Sequence, residues 1–297
     1  MANSPIPTIH VATVHWKDDR WVDIQLRYLH RFIGGPLRTW GFLTKVPGDH
    51  TGKFSYVSTE RIVKHATKLN LLADMICFAA ESEDDWIVFL DGDAFPVAPL
   101  REALTERLSR HGLIAVRRDE KQATQPSPCF CACTVGMWRE LGSDWHRIGS
   151  PTNKNRSQRS PSEDVGARLL RALETRGVDW DPLLRSNTHN PHPLFYAVYG
   201  NLVYHHGAGF RPRLSRGDRA GLRSQADGPL ARLMEKAPRA LRARYHPMQR
   251  ARQELLADQA ATESGIFDRI AADDDAIFVE LSSGMASVDD SAQISHG

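Results

Sequence analysis

Long apolar runs are what this 297-residue chain lacks. No stretch approaches the ~20 residues of a membrane-spanning helix, and residues 1–20 carry charges where a secretory leader would be apolar. An α-helical membrane span is thereby excluded, and the cytoplasm is the expected compartment. Cysteine is scarce, with four in all, which fits a reducing environment. Cys77 lies in an apolar, helix-like run and reads as buried and inert. Cys129, Cys131 and Cys133 alternate along one segment, but no fourth ligand follows at a zinc-site spacing. They read as small side chains on one face of a strand. Charge of one sign is not in excess, since the formal net charge is +2, and no internal repeat is present.

The charge that is there is unevenly placed. Residues 209–252 hold twelve Lys/Arg against three Asp/Glu, whereas residues 253–297 hold ten acids and one Arg. The two segments can pair with each other, or the basic one can face an anionic partner. Hydrophobic content of 41% over this length suffices for one elaborated α/β domain or two modest ones.

Along the chain, Thr8–His15 is β-branched and apolar and predicts a buried first strand. Apolar residues from Trp21 to Phe32 recur near helical spacing, ended by Gly34-Gly35-Pro36. Strands are predicted at Leu37–Leu43 and Phe54–Val57, then a long helix opening at Ser58-Thr59-Glu60 and breaking near Lys68. Asp85–Leu90, DWIVFL, is apolar without alternation, as a central parallel strand should be. Leu100–Leu108 and Gly136–Gly142 read as helices, Leu113–Val116 and Cys129–Thr134 as strands. Ser150–Ser162 reads as a polar, mobile loop, Glu163–Leu173 as a helix, and Leu202–His206 as a strand. Pro229–Leu256 reads as a helix interrupted at Pro247. Strands alternating with helices predict a doubly wound α/β sheet, in which ligands bind beyond the carboxyl ends of the strands.

Asp91-Gly92-Asp93 falls at such an end. Carboxylates at i and i+2 can approach one divalent cation, directly or through water, while Gly92 leaves room for phosphates or ribose. Oxygen ligands of this kind suit Mn²⁺ or Mg²⁺. A cation there would stabilise charge developing on a departing diphosphate.

The stretch DDWIVFLDGDAFPV resembles the strand and D-x-D motif of GT-A-fold glycosyltransferases, family-2-like members among them. The upstream KLNLLA (Lys68–Ala73) resembles the helix start that precedes the motif. The resemblance runs from about Ile9 to Arg213. It implies a GT-A-like doubly wound mixed sheet flanked by helices, with residues 1–215 as catalytic domain. Residues 216–280 would then be a C-terminal helical extension and 281–297 a disordered tail. It further implies a nucleotide-sugar donor, a glycan, glycolipid or small-molecule acceptor, and transfer of a sugar, expected to be hexosyl. On this reading Asp91 and Asp93 hold the metal, with Asp91 and Gly92 also on the donor. Lys68 and Asn70 become donor-side candidates, and Thr13, Val14 and His15 fall at the nucleobase edge. Ser162-Glu163-Asp164-Val165 resembles the Glu-Asp pair of inverting members, whose carboxylate deprotonates the acceptor hydroxyl. Asp164 is the leading base and Glu163 the second candidate, and Ser162 would also suit a helix cap. Tyr204-His205-His206-Gly207-Ala208-Gly209 resembles the late strand-end histidine that approaches metal or diphosphate. A strand sends neighbours to opposite faces, so one of His205 and His206 should face the site. His206, abutting the Gly-rich turn, is favoured, with Arg211 and Arg213 over the diphosphate.

Other readings compete. A nucleotidyltransferase would share the acidic pair, but TVHWKDDR holds no Gly-rich phosphate loop at the first strand. A haloacid-dehalogenase-type phosphatase would carry its D-x-D near the first strand and a Thr after it, where this chain has Ala94. A nucleic-acid-binding protein using the Arg-rich segment 211–252 would have to overcome sparse aromatics and an acidic tail, so no nucleic-acid partner is expected. Residues 229–256 suit a helix covering the core or one lying on anionic lipid at the inner face of a membrane.

Overall fold

The computed structural model describes residues 6–142, 144–148, 164–207, 236, 238 and 247–283. Contacts divide the chain into two units, one of residues 1–207 with 278–297 and one of residues 208–277. Among the described residues no helix is long and apolar enough to cross a membrane.

The first unit is built on a seven-stranded mixed sheet. In chain order its strands are β1 (Ile9–Trp16), β2 (Leu37–Thr44), β3 (Tyr56–Ser58), β4 (Trp86–Asp91), β6 (Leu113–Val116), β7 (Ser127–Thr134) and β8 (Trp180–Leu183). The spatial order is β3-β2-β1-β4-β7-β6-β8. All neighbours run parallel except β7, which is antiparallel to both β4 and β6. A second, three-stranded antiparallel sheet places β10 (Val203–His205) between β5 (Ala94–Pro96) and β9 (Ala197–Tyr199).

Central strands that read as continuous apolar runs are covered on both sides. Helices α1 (Arg20–Phe32) and α3 (Leu100–Leu108) bury Val22, Leu26, Leu29, Leu100 and Leu104 with Val88 and Leu90 of β4. Helices α2 (His65–Ala79), α4 (Val135–Leu141) and α5 (Ala167–Arg176) bury Leu69, Leu72, Trp138 and Leu169 with Ile87 and Phe89. Alternate β4 residues thus feed two cores, which is the doubly wound arrangement the alternation predicts.

Four local expectations need correction. The helix expected from Ser58 begins at His65, because Thr44 at the end of β2 donates to the Glu60 carbonyl (3.2 Å) and Lys64 is extended. Lys68–Ala73 is therefore helix interior. The third strand is shifted to Tyr56–Ser58, and Phe54 instead packs on Gly41. The helix expected from Glu163 starts at Ala167, preceded by Gly166 at φ 95°. The three alternating cysteines do not share a face. A register shift where β6 pairs with β7 turns Cys129 into the α1/α3 core, while Cys131 and Cys133 stay in the other.

The second unit's described part is largely one helix, α6 (Pro247–Ala271), closed by a turn in which Arg269 pairs with Asp274 at 2.6 Å. Helix α7 (Ala276–Ser283) runs past the boundary expected at residue 280. Its Phe278 packs on Tyr28, Phe95 and Tyr204, and Leu281 accepts hydrogen bonds from Thr188 and His189. Residues 150–162 and 284–297, and 229–246 apart from 236 and 238, lie outside the described residues.

Candidate metal and donor site

Strand β4 ends at Asp91, and Gly92-Asp93 turn the chain into β5. The Gly92 N–H donates to the Val14 carbonyl (3.1 Å), tying the turn to the end of β1. Space dictates glycine there: a Cβ would lie 2.7 Å from His15 Nδ1 and 2.8 Å from the Val14 oxygen. Strand β10 pairs His205 with Ala94 and so returns an imidazole to the turn. His205 Nε2 lies 3.5 Å from Asp91 Oδ2 and 3.4 Å from Asp93 Oδ1. One ligand atom from each of Asp91, Asp93 and His205 falls within 4.8 Å of the others, the one such trio among the described residues. The donor set of two carboxylates and an imidazole fits a divalent cation.

Of the two histidines, the strand presents His205 to the carboxylates. His206 is fully buried on the other side, with Nδ1 3.0 Å from the Tyr204 hydroxyl and its ring 4.5 Å from Trp21. Its contribution to the turn is made by backbone, its N–H donating to the Asp93 carbonyl (3.0 Å). The next N–H, of Gly207, donates to Asp93 Oδ2 (3.0 Å).

A residue with no motif around it completes the cluster. His65, the first of α2, puts Nε2 3.1 Å from Asp91 Oδ1, so the two oxygens of Asp91 face two different imidazoles. Burial alone would raise the carboxyl pKa values. For Asp91 the hydrogen bond and charge of His65, then the charge of His205, outweigh it and lower the pKa. For Asp93 the charge and hydrogen bond of His205, with the Gly207 N–H, hold it well below the carboxylate range. Burial opposes a charge on His205 too, but Cys129 and Asp93 push its pKa up to about 10. A protonated His205 offsets part of the charge of the two carboxylates.

Thr13 and His15 do not line an open edge. Both are buried and bonded to Gln25 of α1, itself 0% exposed. Thr13 Oγ1 donates to Gln25 Oε1 (2.9 Å), and His15 Nε2 lies 3.1 Å from the same oxygen. Gln25 Nε2 donates to the carbonyls of Asp91 (2.8 Å) and Ala94 (2.7 Å). Burial lowers the His15 pKa to about 4, against the opposing hydrogen bond from Gln25.

Lys68 is 1% exposed, its Nζ 4.3 Å from the ring centre of Trp16 at the end of β1. Burial lowers its pKa to about 8. Asn70 is committed elsewhere: Oδ1 accepts from the Trp145 N–H (2.9 Å) and Nδ2 meets His146 Nδ1 (3.1 Å). Asp164 is 57% exposed and paired with Arg147 at 2.6 Å. Its position is set by Gly166, where a Cβ would meet the Pro126 oxygen at 2.1 Å. Pro126 immediately precedes β7, which pairs antiparallel with β4, Phe130 opposite Leu90, so Gly166 packs at the end of the sheet where β4 ends. Glu163, Arg211 and Arg213 lie outside the described residues.

Gln25 and His65 escaped the sequence reading. A glutamine between Ile24 and Leu26 on the buried stripe of an amphipathic helix is a usable signal. For His65 the sequence holds none, because only the crossover from β3 brings the start of α2 to β4.

No family model and no curated protein matches the chain. Among solved structures, the glycosyltransferase GlyE of Streptococcus pneumoniae TIGR4 superposes with a TM-score of 0.38 at 11% identity. That match covers 60% of this chain and 45% of that one. The apo form of GlyE gives 0.38 at 13%, over 59% and 45%. A Desulfovibrio desulfuricans G20 protein assigned as a nucleotide-diphospho-sugar transferase gives 0.37 at 8%, over 60% of this chain and 80% of that one. The chain thus spans less than half the length of GlyE, and at these scores functional assignment rests on the site itself.

Proposed function

We propose that this chain is a metal-dependent glycosyltransferase. It would transfer a sugar, expected to be hexosyl, from a nucleoside-diphosphate sugar to a hydroxyl of a glycan, glycolipid or small-molecule acceptor. The observation that carries the reading is the convergence of Asp91, Asp93 and His205 beyond the carboxyl end of a central strand. Asp91, Asp93 and His205 would hold Mn²⁺ or Mg²⁺, which when bound neutralises diphosphate charge as the sugar leaves. The chain's own residues supply the rest. Gly92, assigned to the donor through its backbone, lets the turn pack against His15 and the end of β1. Lys68, a buried cation near the end of β1, is assigned to the anionic donor. Asp164 is assigned as the base that accepts the proton of the attacking hydroxyl, with inversion at the sugar carbon. The packing of Gly166, two residues on, against the residue before β7 at the end of the sheet where β4 ends supports that role.

Calorimetry with a nucleoside diphosphate, with and without Mn²⁺, tests the reading. Wild-type protein should bind only with the metal. Asp93→Ala should lose that binding while its thermal unfolding stays cooperative. Equal affinity in the two proteins would overturn the assignment.

A further inference from the structure

A fully buried glutamine is costly to place unless both of its amide atoms are bonded, and a bonded one rigidifies what it touches. Gln25 is such a residue: it joins Thr13 and His15 of β1 to the Asp91 and Ala94 carbonyls at the ends of the Asp-Gly-Asp turn. Its amide orientation is fixed by chemistry: the atom facing the Asp91 and Ala94 carbonyls must be the NH₂ group, because an oxygen there would meet two oxygens. The Gln25 oxygen therefore faces Thr13 and His15 and must receive hydrogens from both. His15 is then the tautomer protonated on Nε2, and Nδ1 carries a lone pair against Gly92.

We propose that Gln25 is the positioning residue of this site: it clamps the carbonyls at both ends of the Asp91–Ala94 turn and selects the His15 tautomer that packs on Gly92. The inference rests on the proposed function only for the meaning of the clamp. The carbonyls held are those of Asp91, whose carboxylate would bind the cation, and of Ala94, which pairs with His205. One carboxamide thereby fixes the spacing between the β4 end and the β5/β10 ladder, and hence between Asp91, Asp93 and His205. Thr13, placed by sequence at the nucleobase edge, belongs on this reading to the clamp.

Two substitutions divide the clamp into halves. Gln25→Glu keeps acceptors for Thr13 and His15 but removes the NH₂ group that holds both carbonyls. Gln25→Met keeps the volume and removes both halves. Nitrogen-15 NMR of the imidazole rings, with His15 assigned by His15→Gln, reads the tautomer. Calorimetry with Mn²⁺ alone reads the site, and thermal unfolding reads the fold. Wild type should show His15 protonated on Nε2. Gln25→Glu should keep that tautomer while Mn²⁺ affinity falls about 10–100-fold, as when outer partners of metal ligands are removed. Gln25→Met should lose both. His15 protonated on Nδ1 in wild type overturns the proposal even if neither variant folds. Unchanged Mn²⁺ affinity in a folded Gln25→Glu overturns it too. Failure of wild-type protein to bind Mn²⁺ with or without nucleoside diphosphate sinks the metal reading instead, and the tautomer still decides the clamp.

Discussion

The chain's two acidic motifs occupy unlike surroundings. Asp91 and Asp93 are held by strand pairing, by backbone N–H groups of the β10 end and by two imidazoles, one per Asp91 oxygen. Asp164 is more than half exposed; its carboxylate pairs with Arg147 and accepts from the Val165 N–H, and its carbonyl accepts from the Ala167 N–H. The first site is built before any ligand arrives. The second offers a more exposed carboxylate, held by one ion pair and by bonds to the neighbouring backbone. On the proposed function, that contrast suits a division of labour in which metal and diphosphate would need fixed geometry, whereas an acceptor base would first have to admit its substrate.

The sharpest way to break this comparison is to neutralise the looser site. Asp164→Asn keeps shape and hydrogen bonding but cannot take the acceptor proton, so turnover should fall on the order of 10²–10⁴-fold. Donor affinity should hardly change, because a base acts mainly in the transition state. Transfer rates with donor affinity measured alongside would check it, with Glu163→Gln as the control. Near-normal turnover in Asp164→Asn with an inactive Glu163→Gln moves the base to Glu163, and activity in both removes the inverting mechanism.

The built site is challenged next. His205→Ala should weaken Mn²⁺ binding on the order of 10²-fold, at least matching the loss of an outer partner, and His65→Ala about 10-fold. His206→Ala should act differently. Its ring fills space between Trp21, Tyr196 and Tyr204, so its loss should cost stability, about 2–4 kcal/mol. Calorimetry and thermal unfolding on all three variants separate these outcomes. A metal effect for His206→Ala as large as for His205→Ala would contradict the strand geometry.

The same contrast explains what could be read from sequence. The DWIVFL strand, Leu100–Leu108 and Leu113–Val116 are legible because burial on both faces or one stripe fixes their composition. The carboxylate pair is legible as a candidate site because Asp-Gly-Asp follows such a strand. The choice of His205 over His206 is not, since alternation says that one faces the cleft but not which. That is settled by the pairing of His205 with Ala94 across β5 and β10. The start of α2 depends on a side-chain bond from Thr44, and Cys129 changes face at a register shift. Both are tertiary events without a local signature.

The smallest predicted effect lies at Lys68, between the two extremes. It is as buried as Gln25 but, among the described residues, has no carboxylate within ion-pair reach. Its compensation is the faces of Trp16 and Phe42, at 4.3 and 5.6 Å from Nζ. Burial lowers its pKa from 10.5 to about 8. The sign follows from proton counting. Between pH 8 and 10.5 the unfolded chain binds more protons at this position than the folded one, so stability contributed here rises with pH across that window. Below pH 8 the full cost of burying the ammonium is present. Lys68→Met keeps the chain length and removes the charge, so it should raise stability at pH 7 by about 1–2 kcal/mol after the lost cation–π contact is deducted. The gain should shrink towards zero by pH 10.5, as thermal unfolding at both pH values would show. Nucleoside diphosphate affinity should move the other way and fall, because an ammonium kept at a cost in the free protein is repaid by an anion. A more stable variant with unaltered affinity would remove Lys68 from the donor site, and a less stable one would mean that the aromatic faces already satisfy the charge.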